Sequence, residues 1–291
     1  MAVVMYYGFI FVSVALFGGC FAINDIYGKM RGSHIKVSLQ FSLISALGGL
    51  AVLLIANGFS LQSTPFTLVM AILCALDSLA FTFCSFKALG RINLSLYSLY
   101  SMLGGMLLPF LQGVLLHGEP ISVAKIVCCI LIVWALFITV DKTRQRGGTI
   151  YYIGIFVLNG MSGVLSKVFT DAPFPKTNAS SYAILTALCT ALLSLLILVC
   201  FYRNIRVTTK ETPKSLAFSL SGGILNRVAN LLLVVALTHV DASAQYPLVT
   251  GGVMIVSTVI CYLRKDKPSN KELLSVLLAF LGMLALFIIP I

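Results

Sequence analysis

Ten apolar stretches, each close to twenty residues long, follow one another along the 291-residue chain, with short polar segments between them. A membrane-spanning helix needs about 20 apolar residues, and all of its backbone hydrogen bonds are made within the helix. Ten-residue alternating strands, typical of membrane barrels, do not occur. The sequence therefore predicts an all-α integral membrane protein with ten transmembrane helices at residues 5–23, 37–56, 66–86, 94–116, 121–140, 151–169, 182–202, 216–237, 243–263 and 273–290.

The composition supports this assignment. Hydrophobic residues make up 59% of the chain and charged residues 10%, whereas a soluble domain carries about 25% charged residues. The mean hydropathy is +1.03. These values exclude a soluble enzyme, a disordered protein and a disulfide-rich secreted module. The net charge is +11, and most of the basic residues lie in short loops between the spans. This placement indicates contact with lipid headgroups of the bilayer and argues against nucleic acid as a partner.

Short segments of the first half recur in the second half at offsets of 145 to 150 residues. A single match between apolar sequences is weak, but these matches keep the same order in both halves. They predict two repeats of five helices, residues 1–147 and 148–291, which together form one transmembrane domain. The matches are Tyr6-Tyr7 with Tyr151-Tyr152, Ala88-Leu89 with Ala236-Leu237, Gly104-Gly105 with Gly251-Gly252, and Ala135–Ile138 with Ala285–Ile288.

An odd number of helices per repeat means that the second repeat enters the membrane in the opposite orientation. Inverted repeats of this kind are found in many secondary transporters. The charges agree: the loop after span 4 has no Lys or Arg, whereas the equivalent loop after span 9 has four. Sixteen of the 20 Lys and Arg residues lie in or beside the odd-numbered loops. The positive-inside rule then predicts that both termini lie outside the cytoplasm.

The arrangement of ten helices in two halves resembles the drug/metabolite transporter superfamily. The features that carry the resemblance are Gly18 in span 1, Ala-Leu at the ends of spans 3 and 8, and the run Gly-Glu-Pro-Ile-Ser at 118–122. The chain is most similar to the ten-helix EamA-like branch, named after a bacterial cysteine and O-acetylserine exporter. Span 1 departs from that pattern, with Phe17 before Gly18 where Trp is common.

The resemblance implies that spans 1–4 and 6–9 surround a central substrate cavity. It also implies that spans 5 and 10 pack at the edge, where their apolar surfaces offer a contact for a homodimer. Relatives in that superfamily keep both termini in the cytoplasm, so the resemblance and the charge count predict opposite orientations. We follow the charge count.

Asp77 and Arg227 lie near the centres of spans 3 and 8. A charge at that depth costs about 3 kcal/mol on insertion scales unless protein or water compensates it. Aligning Ala88 with Ala236 places the two residues at similar depths in the two repeats. Two interpretations remain open. The residues line the cavity and bind substrate, a proton or each other, or they form a structural ion pair between spans 3 and 8.

Further polar side chains lie at similar depth. Asn226 and Asn230 are four residues apart and so share a helix face with Arg227 beside them, and Ser78 is the counterpart of Asn226. Interhelical hydrogen bonding is the alternative role for each residue. The candidate substrate-binding residues are Asp77, Arg227, Asn226, Asn230, Tyr97, Tyr100, Gln245, Tyr246 and Ser78, with Gln40 and Asn159 as further candidates.

The predicted function is secondary transport of a small polar metabolite, such as an amino acid or amine, across the cytoplasmic membrane. The sequence has no GxxxxGK[ST] nucleotide-binding run, and no cofactor or metal site is indicated. An enzyme is disfavoured because the spans contain no His/Cys cluster and no Glu. A non-transporting scaffold or receptor remains the alternative, with Asp77 and Arg227 as a structural pair.

Overall fold

The computed structural model describes residues 2–117, 123–139, 149–202, 211–237, 239–240, 242–264 and 267–288. Within these helices, some side chains near the ends are outside the description, including those of residues 242–247. The described residues form ten helices, which confirms the all-helical prediction. The helices are α1 (Ala2–Arg31), α2 (Ile35–Ala56), α3 (Pro65–Leu89), α4 (Leu94–His117), α5 (Val123–Thr139), α6 (Thr149–Asp171), α7 (Ala179–Phe201), α8 (Pro213–Leu237), α9 (Ala242–Leu263) and α10 (Asn270–Ile288).

Seven helices in the described part of the chain are long and apolar enough to cross a membrane. α5 and α9 contribute the shorter apolar stretches Ile126–Ile138 and Leu248–Leu263. The chain is therefore a membrane protein. The seven segments are Met5–Arg31, Ile35–Ala56, Pro65–Leu89, Leu94–Leu115, Thr149–Asp171, Ala179–Phe201 and Pro213–Ala236.

The first helix is longer than the sequence predicts. Its predicted span ends at residue 23, because Asn24, Asp25, Lys29 and Arg31 interrupt the apolar stretch. The structure continues α1 to Arg31. The extra turns are stable because their charges are paired: Lys29 Nζ donates to Asp25 Oδ2 at 3.0 Å, one helical turn away. Hydropathy marks where apolar side chains stop, and it does not register such pairing.

Local capping begins several helices. Thr64 accepts a hydrogen bond from Thr67 N at 3.2 Å and precedes Pro65, the first residue of α3. Asn178 caps α7 through Ser181 N at 2.8 Å. Side-chain oxygens at these positions satisfy N–H groups that have no partner within the helix. The helix starts are thus fixed by residues in the short polar segments.

The packing of the bundle is specific. α1 lies against α8 and α9, and α6 lies against α3 and α4. α2 packs on α7 and α8, α7 also packs on α3, and α5 packs on α10. A large apolar core joins α1, α4, α5, α6, α9 and α10, with Leu99, Leu103, Ile132 and Ile155 fully buried within it.

One end of the bundle collects many of the basic residues. Asn93 before α4 contacts Glu272 of α10, and Arg91 lies over the ring of Tyr151 at the start of α6. We call this the basic end: α1, α3 and α9 finish there, and α4, α6 and α10 begin there. The start of α1 lies at the other end, where Tyr6 Oη is 3.2 Å from His239 Nε2. The basic end holds Lys29, Arg31, Lys87, Arg91, Arg264, Lys267 and Lys271.

Candidate functional site

Arg227 occupies the middle of α8, and its side chain crosses α2 where α2 has a glycine. A Cβ atom on Gly49 would be 2.9 Å from Arg227 Cγ and 3.3 Å from Nε. Gly223, one turn earlier on α8, lies so close to α2 that a Cβ there would collide with the Ser45 carbonyl. The close α2–α8 contact therefore needs small residues, as is common between membrane helices. The missing side chain of Gly49 leaves room for the aliphatic part of the Arg227 side chain.

The Arg227 guanidinium has no acidic partner within 4.0 Å among the described residues. Its side chain is partly buried. A permanently charged group at the centre of an apolar helix needs water, a polar ligand or a counter-charge. Arg227 is thus the strongest candidate in the described bundle for binding an anionic group of a ligand.

Asn226 and Asn230 lie together beside Arg227 on α8. The Asn230 Nδ2 group donates to the Asn226 carbonyl at 2.8 Å and to its Oδ1 atom at 3.2 Å. Asn230 is exposed and Asn226 is partly buried. The two amides therefore share one helix face, as their spacing requires, and keep further donor and acceptor positions one residue before and three residues after Arg227 on α8.

Asp77 lies in a different part of the bundle. α3 packs on α6 and α7, whereas α8 packs on α1 and α2. One turn before Asp77, Cys74 Sγ is 2.7 Å from the Tyr182 hydroxyl of α7. Asp77 is partly buried, and it forms no ion pair with Arg227, although both residues are described. The direct structural pair considered from the sequence is therefore not formed, because each helix is held against a different pair of neighbours.

Ser78, the neighbour of Asp77, is also partly buried. Its carbonyl accepts a hydrogen bond from Thr82 Oγ1 at 2.9 Å. This bond lies within α3 and leaves the Ser78 hydroxyl for other contacts. A substrate-binding role for Asp77 and Ser78 stays a prediction.

Tyr97 and Tyr100 are both buried on α4. Tyr97 is fully buried, donates its hydroxyl proton to Ser85 Oγ at 3.0 Å, and packs edge-on against Phe21. The Tyr100 ring lies 5.9 Å from the Tyr152 ring of α6. Tyr97 is therefore engaged in helix packing, and we leave it out of the site around Arg227.

The remaining sequence candidates are placed as follows. Gln245 and Tyr246 belong to α9, but their side chains are outside the described residues. Asn159 Nδ2 donates to the Ser101 carbonyl at 2.6 Å and joins α6 to α4. Gln40 accepts a hydrogen bond from Arg31 at 2.7 Å. Asn159 and Gln40 thus stabilise helix contacts.

Three buried charged residues at the basic end were missed by reasoning from the sequence. Asp25, Arg31 and Glu272 are 3%, 4% and 6% exposed. All three lie just outside the apolar windows, where charges are ordinarily solvated. The four-residue spacing of Asp25 and Lys29 was the only local signal of pairing.

The comparisons with known proteins support the fold and do not indicate a function. No protein-family model and no curated protein matches the chain. Among solved structures, 26 chains match it. One, described only as "Crystal structure of protein", is 17% identical with a TM-score of 0.62, covering 97% of this chain and 96% of its own. This likeness shows a shared fold over nearly the whole chain. The drug/metabolite transporter resemblance stays a prediction.

Proposed function

We propose that the chain is a secondary active transporter, an exporter or exchanger, that moves a small polar metabolite across the cytoplasmic membrane by alternating access. The observation that carries the proposal is Arg227 at the middle of α8, with asparagines one residue before and three residues after it, and with no acidic partner within 4.0 Å among the described residues. A scaffold gains nothing from this arrangement, since an uncompensated charge in an apolar helix costs free energy. A transporter gains a binding group for a carboxylate, as an amino acid carries.

The packing pattern supports the ten-crossing inverted repeat on which alternating access depends. The two repeats can be compared by exchanging equivalent helices, so that α1 replaces α6, α2 replaces α7, α3 replaces α8 and α4 replaces α9, and the reverse. This exchange turns the contacts of α1 with α8 and α9 into the contacts of α6 with α3 and α4. The same exchange turns α2–α8 into α7–α3. Pairing of this kind is expected for two repeats related by a pseudo-two-fold axis. A central cavity and a homodimer through α5 and α10 stay predictions.

The alternative is a scaffold or receptor held together by Asp77 and Arg227. That function rests on a direct contact between the two side chains, and these two described residues do not form an ion pair. In the transporter, Asp77 has a separate role, as a carboxylate that binds a proton or an amine group of the substrate.

The test begins with purified protein and a thermal-shift screen of amino acids, amines, sugars and nucleosides. The compound that stabilises the protein is then labelled and its uptake into proteoliposomes is measured. Arg227→Gln should lower transport by about 10- to 100-fold, because a charged hydrogen bond to substrate contributes about 1.5–3 kcal/mol. Arg227→Lys should retain part of the activity, and Lys214→Gln, an exposed cation elsewhere on α8, should retain all of it.

Gly49→Ala provides an independent test, because its Cβ would displace the Arg227 stem without removing the charge. We expect reduced transport with an unchanged fold. Normal transport by Arg227→Gln and Asp77→Asn would refute the binding site. A lower melting temperature in both Arg227→Gln and Asp77→Asn, restored in the double variant, would instead establish a structural pair.

A further inference from the structure

A second polar site lies at the basic end, away from Arg227. It is a pocket of about 330 Å³ between the end of α1, the turn from α3 to α4 and the segment before α10. We call it the basic pocket. Its volume lies near the lower end of the usual range for small-molecule sites, about 300–1,000 Å³. It is lined by Lys29, Leu89, Gly90, Arg91, Ile92, Asn93, Lys267, Ser269 and Glu272.

Three cations from three separate segments reach this pocket. Arg91 is exposed but held in place: its guanidinium carbon is 4.8 Å from the centre of the Tyr151 ring, and Nη1 donates to the Lys87 carbonyl at 3.2 Å. Lys267 is exposed and has no acidic partner in the described part of the chain. Lys29 also pairs with Asp25. The pocket therefore gathers three positive charges, two of which, Arg91 and Lys29, are held by contacts within the protein.

Glu272 is the one acidic residue among the described residues that line the pocket. Its Oε2 atom accepts hydrogen bonds from Asn93 Nδ2 at 2.7 Å and from Ser269 N at 2.8 Å. The Ser269 and Glu272 pair forms a capping box at the start of α10. Glu272 therefore holds the starts of α4 and α10 together as one wall. Counting three cations and one anion, the lining keeps a charge of +2.

We propose that the basic pocket binds a phosphate-bearing anion. Guanidinium groups match phosphate oxygens in a two-pronged geometry, and Arg91 is already oriented by Tyr151. Lys29 and Lys267, which also line the pocket, add point charges. Basic pockets between helices at a membrane surface are suited to anionic lipid headgroups, and a soluble phosphate compound offers the same chemistry. This inference is independent of the proposed transport activity.

The experiment uses the full chain in nanodiscs and has two arms. In the lipid arm, melting temperature is compared between pure phosphatidylcholine and equal parts of phosphatidylcholine and phosphatidylglycerol. In the soluble arm, pyrophosphate is titrated into phosphatidylcholine nanodiscs against chloride at equal ionic strength. Stabilisation in the lipid arm alone identifies a headgroup site, and stabilisation by pyrophosphate identifies a site for free phosphate compounds.

Two pocket variants carry the test. The double variant Arg91→Gln/Lys267→Gln should lower affinity about 25-fold, at about fivefold for each basic residue. Gly90→Leu fills the pocket with all cations retained, and its Cβ would meet only the Phe86 and Lys87 carbonyls, at 3.5 and 3.7 Å. Gly90→Leu should abolish binding, and it decides between the outcomes if the double variant does not fold.

The matched control is Lys176→Gln/Lys214→Gln, which removes the same charge outside the pocket. It should bind as the unmodified protein does. The proposal is overturned if neither arm shows stabilisation, if Gly90→Leu binds normally, or if the control loses as much affinity as the pocket variants.

Discussion

The side chain of Arg264, which follows α9, donates from Nη1 to Oδ2 of Asp25 in α1 at 3.0 Å. Asp25 is buried, and the same oxygen accepts a hydrogen bond from Lys29 at 3.0 Å. Residues 239 positions apart in the chain thus fix the last turns of α1 against the end of α9. This contact holds α1 and α9 together at the basic end.

We predict that Arg264→Gln lowers the free energy of unfolding by about 1.5–3 kcal/mol, the usual contribution of a hydrogen bond to a charged group. Lys29→Gln should cost less than about 1 kcal/mol, because the lysine is mostly exposed and Arg264 still compensates Asp25. Reversible unfolding in mixed micelles measures both values. Equal losses for the two variants would contradict the greater role given to Arg264.

Two glycines whose helix neighbours are backbone atoms, Gly104 and Gly223, should tolerate no added methyl group. A Cβ on Gly223 would meet the Ser45 carbonyl, and one on Gly104 would meet the Phe156 carbonyl. Because backbone atoms cannot rotate away, we expect Gly223→Ala and Gly104→Ala each to destabilise the protein by about 1–3 kcal/mol. Melting temperatures in detergent provide the measurement.

Gly19→Ala is the control for that experiment, since nothing described lies within 4 Å of its added Cβ. Alanine favours helix over glycine by up to about 1 kcal/mol, so this variant should melt at the same or a higher temperature. If Gly19→Ala lowers the melting temperature as much as Gly223→Ala does, the loss cannot be assigned to close packing at the helix crossings.

Tyr97→Phe should separate packing from transport. The change removes a buried hydrogen bond to Ser85 and is expected to cost about 0.5–1.5 kcal/mol of stability. Uptake per folded molecule should stay unchanged. Lost uptake with an unaltered melting temperature would instead return Tyr97 to the substrate site.

The charge distribution predicts the membrane orientation. A reporter fused after Ile291 should be active only outside the cytoplasm, because the basic loops favour the cytoplasmic side. A second reporter inserted between residues 203 and 210 should show the opposite behaviour. Cytoplasmic activity of the C-terminal fusion would favour the orientation implied by the transporter resemblance.

The sequence alone determined the helical class, the approximate position of each helix and the shared face of Asn226 and Asn230. These properties are local. Apolar runs of about twenty residues dictate helices in a membrane, and the helical repeat sets which neighbours share a face. The concentration of basic residues in alternate loops is likewise a property of the sequence by itself, since it depends only on the order of the residues along the chain.

Only the tertiary structure decided which charges meet. The sequence indicated that Asp77 and Arg227 lie at similar depth in the membrane, which allowed a contact between them. Depth, however, does not determine which face of a helix packs against which neighbouring helix. That choice depends on close packing at Gly49 and Gly223, which seats α8 against α2 and away from α3. The pairing of Asp25 with Arg264 likewise needs residues brought together from distant parts of the chain, because side-chain shape, and not hydropathy, selects the contacts between helices.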